Sequence, residues 1–218
     1  FMKIAYQGVD GAFSQMALKK YFGEGNREIG YSSFIEMFED LEKGKVDYAL
    51  FPVENTTTGI IARTYDHFQD YGIYAVGEVI IPISHDLIGF ENTPIEEIEE
   101  VYSHPEAISQ CQNLFKKYPK MHPVVYEDTA LSVHYVKESG NRHKAALASS
   151  LAAKIYGMNS LLSGVQDSDS NMTRFLVTSD KEEYAEDADR ISIRMVLNHI
   201  PGALYHALGI FASKQINV

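Results

Sequence analysis

The stretch KIAYQGVDGAFSQMALKKYF, residues 3–22, holds the structural unit that recurs along this chain. Lys3–Tyr6 is a short run of strand formers, Gly8–Gly11 indicates a turn, and Ala12–Phe22 carries apolar residues at helical spacing. Asp47–Phe51 is a second extended run. This strand–helix–strand pattern predicts an α/β fold.

Two further signals extend the pattern through the first half of the chain. Ser33 precedes a helix whose apolar residues share one face, and Gly44 is placed to end that helix. From Gly72 to Phe90 the sequence changes to nearly continuous strand formers. This change predicts that the chain crosses there into a second lobe.

The second lobe is expected to repeat the alternation of strands and helices. Extended runs are predicted at residues 101–103, 124–126 and 145–148, and helices at residues 105–118, 129–138 and 150–156. The single cysteine, Cys111, lies on the apolar stripe of the first of these helices, which predicts a buried core residue and not a nucleophile. A final strand, Arg174–Thr178, is expected to return the chain to the first lobe.

Residues 2–180 are therefore predicted to form one domain of two α/β lobes with a ligand cleft between them. Lobe one comprises residues 2–77 and 163–180, and lobe two comprises residues 78–162. Phe1 is expected to precede the natural start at Met2.

The last part of the chain is predicted to begin a separate domain. Residues 181–189 are highly charged and indicate a linker. Ile191–Leu197 alternates as a half-buried strand does, and Gly202–Ser213 has an apolar helix face. One strand and one helix cannot close a core, so residues 190–218 are expected to be truncated or completed by another chain.

The composition argues against several classes of protein. A formal net charge of −11 without a cluster of Lys and Arg argues against a nucleic-acid partner. No apolar stretch reaches membrane-spanning length, and neither a secretory signal nor a second cysteine is present, so a cytoplasmic protein is expected. The eight scattered histidines lack metal-ligand spacing, and no glycine-rich loop fits a nucleotide. The sequence therefore predicts a site without metal or cofactor.

Hydroxyl and amide residues recur where predicted strands end and helices begin, at Asn55–Thr58, Ser103–His104 and Ser149–Ser150. Helix N-termini offer unsatisfied N–H groups that attract anions. Each junction taken alone is equally consistent with ordinary helix capping. Several such junctions in two facing lobes favour a ligand that carries carboxylates.

With these segments located, the chain resembles the prephenate dehydratase family over nearly its whole length. The resemblance depends on ordered motifs, which are Tyr6–Gly8, Gly11–Ser14, Pro52–Asn55 with Gly59, Ser103–Pro105 with Gln110–Cys111, Ala148–Ser149, Asp167, Asn171 and Thr173–Phe175. It implies a fold similar to type II periplasmic ligand-binding domains. It also implies a lyase of phenylalanine biosynthesis that converts prephenate to phenylpyruvate with loss of water and carbon dioxide.

The resemblance assigns roles to residues of this sequence. Thr173 is implied to donate a hydrogen bond to the leaving hydroxyl, with His104 or a water as the eventual proton source. The substrate-binding residues that it implies are Ala12, Phe13, Asn55, Thr56, Ser103, Gln110, Ser149, Arg174 and Phe175. Arg174 has two possible roles: it pairs with a substrate carboxylate, or it lies on the opposite strand face in an ion pair, which strand alternation favours.

Residues 190–218 resemble the start of an ACT domain, the ferredoxin-like amino-acid sensor that follows the catalytic part in this family. The resemblance implies feedback inhibition of the full-length protein by phenylalanine through Gly202, Ala203 and Leu204. The apolar helix face and the unpaired strand expected in residues 190–218 predict assembly of the full-length protein, as a homodimer or homotetramer. Two other functions stay open: an arogenate dehydratase, and an amino-acid-binding sensor without catalysis.

Overall fold

The predicted unit at the start of the chain is present. Strand β1, Lys3–Gln7, buries its centre, and helix α1, Phe13–Phe22, buries Ala17 and Leu18 against it. The computed structural model describes residues 1–218, which divide into two compact units, residues 1–185 and residues 186–218. The division falls within the charged segment predicted to be a linker.

The first sheet of the first unit contains β1 and five further strands, which are β2 (Arg27–Tyr31), β3 (Tyr48–Asn55), β4 (Gly59–Ile60), β5 (Tyr74–Pro82) and β11 (Met172–Ser179). Its strand order is β2-β1-β3-β11-β5. Strand β1 lies parallel to β2 and β3, whereas β11 lies antiparallel to β3 and β5, and the short β4 pairs with β3. Helices α2 (Phe34–Glu42) and α3 (Ala62–Phe68) pack on this sheet with α1.

The second sheet has the order β10-β6-β9-β7-β8. Its strands are β6 (Asp86–Gly89), β7 (Glu100–Ser103), β8 (His122–Val125), β9 (Lys144–Ala148) and β10 (Asn159–Leu162). The accompanying helices are α4 (Pro105–Ser109), α5 (Gln112–Lys117), α6 (Thr129–Ser139) and α7 (Ser150–Tyr156), with a 3-10 turn at Ile95–Glu97. The predicted two-lobed α/β architecture is therefore confirmed, with one sheet in each lobe.

Two crossings join the sheets, at residues 83–85 and residues 163–171. They are hydrogen-bonded to each other, since Ile83 N–H donates to the Asn171 carbonyl (2.8 Å) and Val165 N–H donates to the His85 carbonyl (2.8 Å). The lobe boundary predicted at residues 77 and 78 lies too early in the chain, because β5 continues to pair with β11 as far as Pro82.

The helix predicted at residues 105–118 is interrupted at Gln110–Cys111, between α4 and α5. The second crossing causes the break. The Asp167 carboxylate accepts from the backbone N–H groups of Gln112 (2.9 Å) and Asn113 (2.8 Å) and so caps α5 as a separate helix. Cys111 is fully buried, as predicted, in a core cluster of the second lobe.

The second unit contains one helix, α8 (Ala203–Ser213), close to the predicted range. The strand predicted at Ile191–Leu197 is wrong, because these residues form no strand and their side chains are exposed. A strand needs a paired neighbour for its backbone groups, and none lies beside these residues. Gly202, with φ of +82°, precedes α8, and Leu204 in its first turn is exposed.

No helix in either unit is both long enough and apolar enough to cross a membrane.

The turn after β1 ties the two lobes together. The Ser149 hydroxyl, before α7, donates to the Gly11 carbonyl (2.6 Å), and the Tyr156 hydroxyl donates to the Asp10 carbonyl (3.1 Å). Val9 packs against a core cluster of the second lobe. The turn therefore fixes the start of α1 against the start of α7.

Replacing Gly11 with alanine tests this contact. Gly11 has φ of +93°, and a Cβ built there lies 2.8 Å from the Cα of Ala152. Gly25 has φ of +91° and nothing within 4 Å of its built Cβ, so Gly25→Ala is a control for backbone strain alone. We expect Gly25→Ala to lower the free energy of unfolding by about 1 kcal/mol and Gly11→Ala to lower it by about 2–4 kcal/mol, measured by urea titration. Equal losses in the two variants would contradict the proposed interlobe contact.

Candidate functional site

A cluster of polar side chains lies where β3 ends and β11 begins. Asn55 and Thr173 are directly opposite each other in the antiparallel register. Asn171 joins them from the residue before β11, and the three side chains together are called the Asn–Thr cluster. Asn55 is 8% exposed, Asn171 6% and Thr173 7%. Their hydrogen bonds are therefore formed mainly with one another and not with bulk water.

The direction of each hydrogen bond in the Asn–Thr cluster follows from Asn55. Its Oδ1 accepts from the backbone N–H groups of Thr57 (2.9 Å) and Thr58 (3.1 Å), so its Nδ2 faces the other way. Nδ2 donates to Thr173 Oγ1 (2.9 Å) and to Asn171 Oδ1 (2.8 Å). The Thr173 oxygen is thus an acceptor within the cluster, and its hydroxyl hydrogen remains available to a ligand.

Asn171 has an unused donor. Because its Oδ1 accepts from Asn55, its Nδ2 points away from Asn55, and this buried atom has no hydrogen-bond partner in the protein. Buried polar groups are nearly always paired, and an unpaired one costs about 1–3 kcal/mol. The Asn171 amide is therefore a candidate donor to a bound anion. Asn171 belongs to the motifs quoted above, but sequence reasoning did not assign it a binding role.

Thr56 holds the neighbouring chain segments together. Its hydroxyl donates to the Ser170 carbonyl (2.9 Å) and accepts from the Met172 N–H (2.9 Å). Its backbone N–H also donates to the Met172 carbonyl (3.0 Å). Thr56 thus positions the Asn–Thr cluster by fixing the end of β3 to the start of β11.

A second group of side chains brings residues of the two lobes together. Gln110, from the end of α4, has its Oε1 3.0 Å from His85 Nε2. Phe13, in the first turn of α1, meets the His85 ring edge-on at 5.4 Å between centroids. We call Phe13, His85 and Gln110 the interlobe cluster. Sequence reasoning selected Phe13 and Gln110 but missed His85, whose one signal was its interruption of a run of strand formers.

The hydroxyls of Ser103 and Ser149 are engaged within the protein. Ser103 is fully buried and donates to the Leu147 carbonyl (2.7 Å) across β7 and β9. Ser149 donates to Gly11, as described above, and accepts from the Ala152 N–H (3.1 Å) as the N-cap of α7. Neither hydroxyl has a hydrogen left for a ligand in this structure.

The Thr-Arg-Phe run alternates as a strand does. Phe175 lies in the core of the first lobe, so direct contact between Phe175 and a substrate is not supported. Arg174 faces away from the core, where its Nε lies 2.8 Å from Glu78 and its NH1 3.7 Å from Glu54. The structure thus places Arg174 in the ion-pair arrangement. Ala12 lies at the N-cap position of α1, ahead of Phe13.

His104 is exposed at the start of α4. Its Nδ1 accepts from the Glu106 N–H (3.2 Å), which makes the ring a helix cap. The imidazole borders an open depression of about 540 Å³ together with Pro105, Val125, Tyr126 and Glu127. No hydrogen bond joins His104 to the Asn–Thr cluster.

The titratable groups beside the interlobe cluster do not provide a nucleophile or a metal centre. Burial, with the nearby Asp167 carboxylate, raises the pKa of the Cys111 thiol to about 12, so the thiol stays protonated at neutral pH. The structure contains no group of three or more His, Cys, Asp or Glu side chains arranged to hold a metal ion. What the site offers is a set of neutral hydrogen-bond donors.

Comparisons with known proteins agree on one family. Residues 4–183 match the family model described as prephenate dehydratase. Among curated relatives, "Arogenate dehydratase 2" of Petunia hybrida is 36% identical over 220 residues, covering all of this chain and 55% of that protein. "Bifunctional chorismate mutase/prephenate dehydratase" of Aquifex aeolicus is 34% identical, again over all of this chain and 59% of that protein. The chain thus spans little more than half the length of these relatives.

A solved structure agrees in fold. The prephenate dehydratase from Staphylococcus aureus subsp. aureus Mu50 has a TM-score of 0.83 and is 26% identical, covering 99% of this chain and 81% of that one. The match of residues 4–183 to the family model, together with these relatives, shows that this chain belongs to the prephenate dehydratase family.

Proposed function

We propose that this chain is a lyase that converts prephenate to phenylpyruvate, releasing water and carbon dioxide. One observation carries the proposal beyond family membership. The Asn55 amide donates to Thr173 Oγ1, which leaves the Thr173 hydroxyl hydrogen free to donate to a departing oxygen. The Asn–Thr cluster supplies oriented donors, which suit an elimination driven by aromatisation of the substrate.

The reaction needs a donor at the leaving oxygen more than it needs a nucleophile. The bond between the ring and its carboxylate breaks, carbon dioxide leaves, and the electron pair moves through the ring to expel the hydroxyl group. A hydroxyl is a poor leaving group unless it is protonated or strongly hydrogen-bonded. The donation from Asn55 polarises the Thr173 hydroxyl and holds it in place, so it meets the developing negative charge without reorganisation.

Thr173 is too weak an acid to give up its proton outright, so we assign the proton that completes the water molecule to solvent. His104 is the alternative source suggested by the sequence. Its exposed ring caps α4 and has no hydrogen bond to the Asn–Thr cluster, which favours the solvent route.

Substrate binding is assigned to neutral donors. The net charge of −11 repels a dianion at long range, so local hydrogen bonds must capture it. Asn171 Nδ2 and the Gln110 amide are the proposed direct contacts, and Phe13 lines the site. We propose that the remaining predicted binding residues do not contact the substrate directly. Phe175 packs in the core, and Arg174 fixes the outer face of β11. The residues that position the ends of strands and helices are Ala12, Thr56, Ser103 and Ser149.

The second candidate substrate is arogenate, in which an amino group replaces the keto group of prephenate. The observation that favours it is the similarity to the petunia protein named arogenate dehydratase. The elimination at the ring is the same for both substrates, so the role proposed for Thr173 does not depend on the choice. A parallel assay of the two substrates decides between them.

Regulation and assembly concern residues 186–218 and the full-length protein. We propose that Gly202, Ala203 and Leu204 form part of a phenylalanine site in the full-length protein and that the protein is a homodimer or homotetramer. The exposure of Leu204 and of the apolar residues before α8 supports a partner for this segment.

Substitution of Thr173 tests the proposed chemistry. Thr173→Val keeps the shape of the side chain but removes the hydroxyl, so we expect kcat to fall about 10²–10³-fold with little change in KM. Thr173→Ser keeps the hydroxyl and should retain most of the activity. Formation of the aromatic product is followed by absorbance with prephenate and, separately, with arogenate.

Thermal unfolding of both variants confirms that they are folded. A wild-type protein that converts neither substrate would contradict the lyase assignment. A Thr173→Val variant that is as active as wild type would contradict the role of the hydroxyl alone.

Asn171→Asp tests the unused donor. The aspartate keeps an oxygen that accepts from Asn55 but replaces the free amide with a negative charge facing the substrate carboxylate. We expect KM to rise about 10–100-fold, since each tenfold change corresponds to about 1.4 kcal/mol of binding. Asn159→Asp, which adds the same charge at an exposed position of β10, serves as the comparison and should leave KM unchanged. An unchanged KM in Asn171→Asp would show that Asn171 does not contact the substrate.

A further inference from the structure

His85 occupies the first crossing between the lobes and is almost fully buried, with 3% of its surface exposed. Its backbone is held by the second crossing. The His85 N–H donates to Gln166 Oε1 (2.9 Å), and its carbonyl accepts from the Val165 N–H (2.8 Å). The position of the imidazole is therefore fixed relative to both lobes.

The hydrogen bond between His85 and Gln110 has a defined direction. Gln110 Nε2 lies 3.4 Å from Glu106 Oε1, so the amide oxygen is the atom that faces His85. An amide oxygen only accepts, so His85 Nε2 carries the hydrogen and donates. Burial lowers the pKa of His85, which keeps the ring neutral, and its Nδ1 has no partner in the protein.

We propose that His85 is a positioning residue for Gln110. By binding Gln110 Oε1, it turns the NH₂ end of that amide away from His85, so that one amide hydrogen is directed at Glu106 and the other is presented to the substrate. This inference rests on the proposed function, in which Gln110 contacts a carboxylate or carbonyl oxygen. The Phe13 ring also contacts the His85 ring edge-on, so His85 touches one proposed binding residue from each lobe.

A purely structural role fits the position less well. A buried imidazole with an unpaired Nδ1 is a poor choice for packing alone, because the unpaired nitrogen loses its hydrogen bond to water. An aromatic ring without nitrogen would satisfy the contact with Phe13. The polar ring is explained if the Nε2–H group is needed for Gln110.

The experiment compares His85→Phe, His85→Gln, Gln110→Ala and the double variant His85→Phe/Gln110→Ala. Phenylalanine keeps a ring but has no donor, whereas glutamine places an NH₂ donor near the position of Nε2. We expect His85→Phe to lower kcat/KM about tenfold, mainly through KM, which is the contribution of one oriented hydrogen bond. His85→Gln should recover most of that loss.

The double variant distinguishes positioning from packing. If His85 acts through Gln110, the double variant should have the kcat/KM of Gln110→Ala alone. The proposal would be overturned if the two substitutions lowered kcat/KM by independent factors that multiply in the double variant. It would also be overturned if a loss of folded protein, measured by thermal unfolding, accounted for the whole loss of activity in His85→Phe.

Imidazole ¹⁵N NMR of the wild-type protein gives a result that needs no turnover. We expect His85 to be protonated at Nε2 and not at Nδ1, and its Nε2 signal to shift in Gln110→Ala. A proton on Nδ1, or no response to Gln110→Ala, overturns the positioning role. Absence of turnover of either substrate with the expected NMR result would refute the proposed function and leave the His85–Gln110 interaction established.

Discussion

The Asn55 amide joins the end of β3 to the start of β11, accepting from two backbone N–H groups and donating to Thr173 and Asn171. The orientation of every other group in the Asn–Thr cluster follows from it. With Nδ2 committed to Thr173 Oγ1, the Thr173 hydroxyl hydrogen has no acceptor within the cluster, and the buried Asn171 amide nitrogen has no hydrogen-bond partner in the protein. The antiparallel pairing of β11 with β3 places these side chains together, although more than a hundred residues separate them in sequence.

The two crossings explain why the proposed site lies between the sheets. Hydrogen bonds between residues 83–85 and 163–171 hold the crossings side by side. From the second crossing, the Asp167 N–H donates to the Gln110 carbonyl (2.7 Å), and the Asp167 carboxylate caps α5 at Gln112 and Asn113. The same contacts therefore place Gln110 beside His85 and Asn171 beside Ile83. In the proposed binding mode, an acidic protein uses neutral hydrogen-bond donors to bind an anion, and Arg174 is held in ion pairs with Glu54 and Glu78.

The elements predicted correctly from the sequence are those that a local pattern of apolar residues determines. The periodic helix at Thr129–Ser139 and the strand Lys144–Ala148 lie within a residue or two of their predicted bounds. The prediction failed where contacts between distant residues decide the structure. The examples are the break at Gln110–Cys111, the strand Arg27–Tyr31, which lacks clear alternation, and Ile191–Leu197, which pairs with no neighbouring strand. Motif order located Asn55 and Thr173, but the engagement of Ser103 and Ser149 and the role of His85 depend on tertiary hydrogen bonds.

In the proposed binding mode, Thr173 contacts the leaving hydroxyl of the substrate and Asn171 contacts one of its carboxylates. A crystal structure of Thr173→Val, flash-cooled shortly after a soak in prephenate, tests this directly, because the loss of the hydroxyl should slow turnover during the soak. We expect the ring hydroxyl to lie against the substituted side chain at position 173, and a carboxylate to lie within hydrogen-bond distance of Asn171 Nδ2. Substrate bound instead in the depression beside His104, away from the Asn–Thr cluster, would contradict the claim.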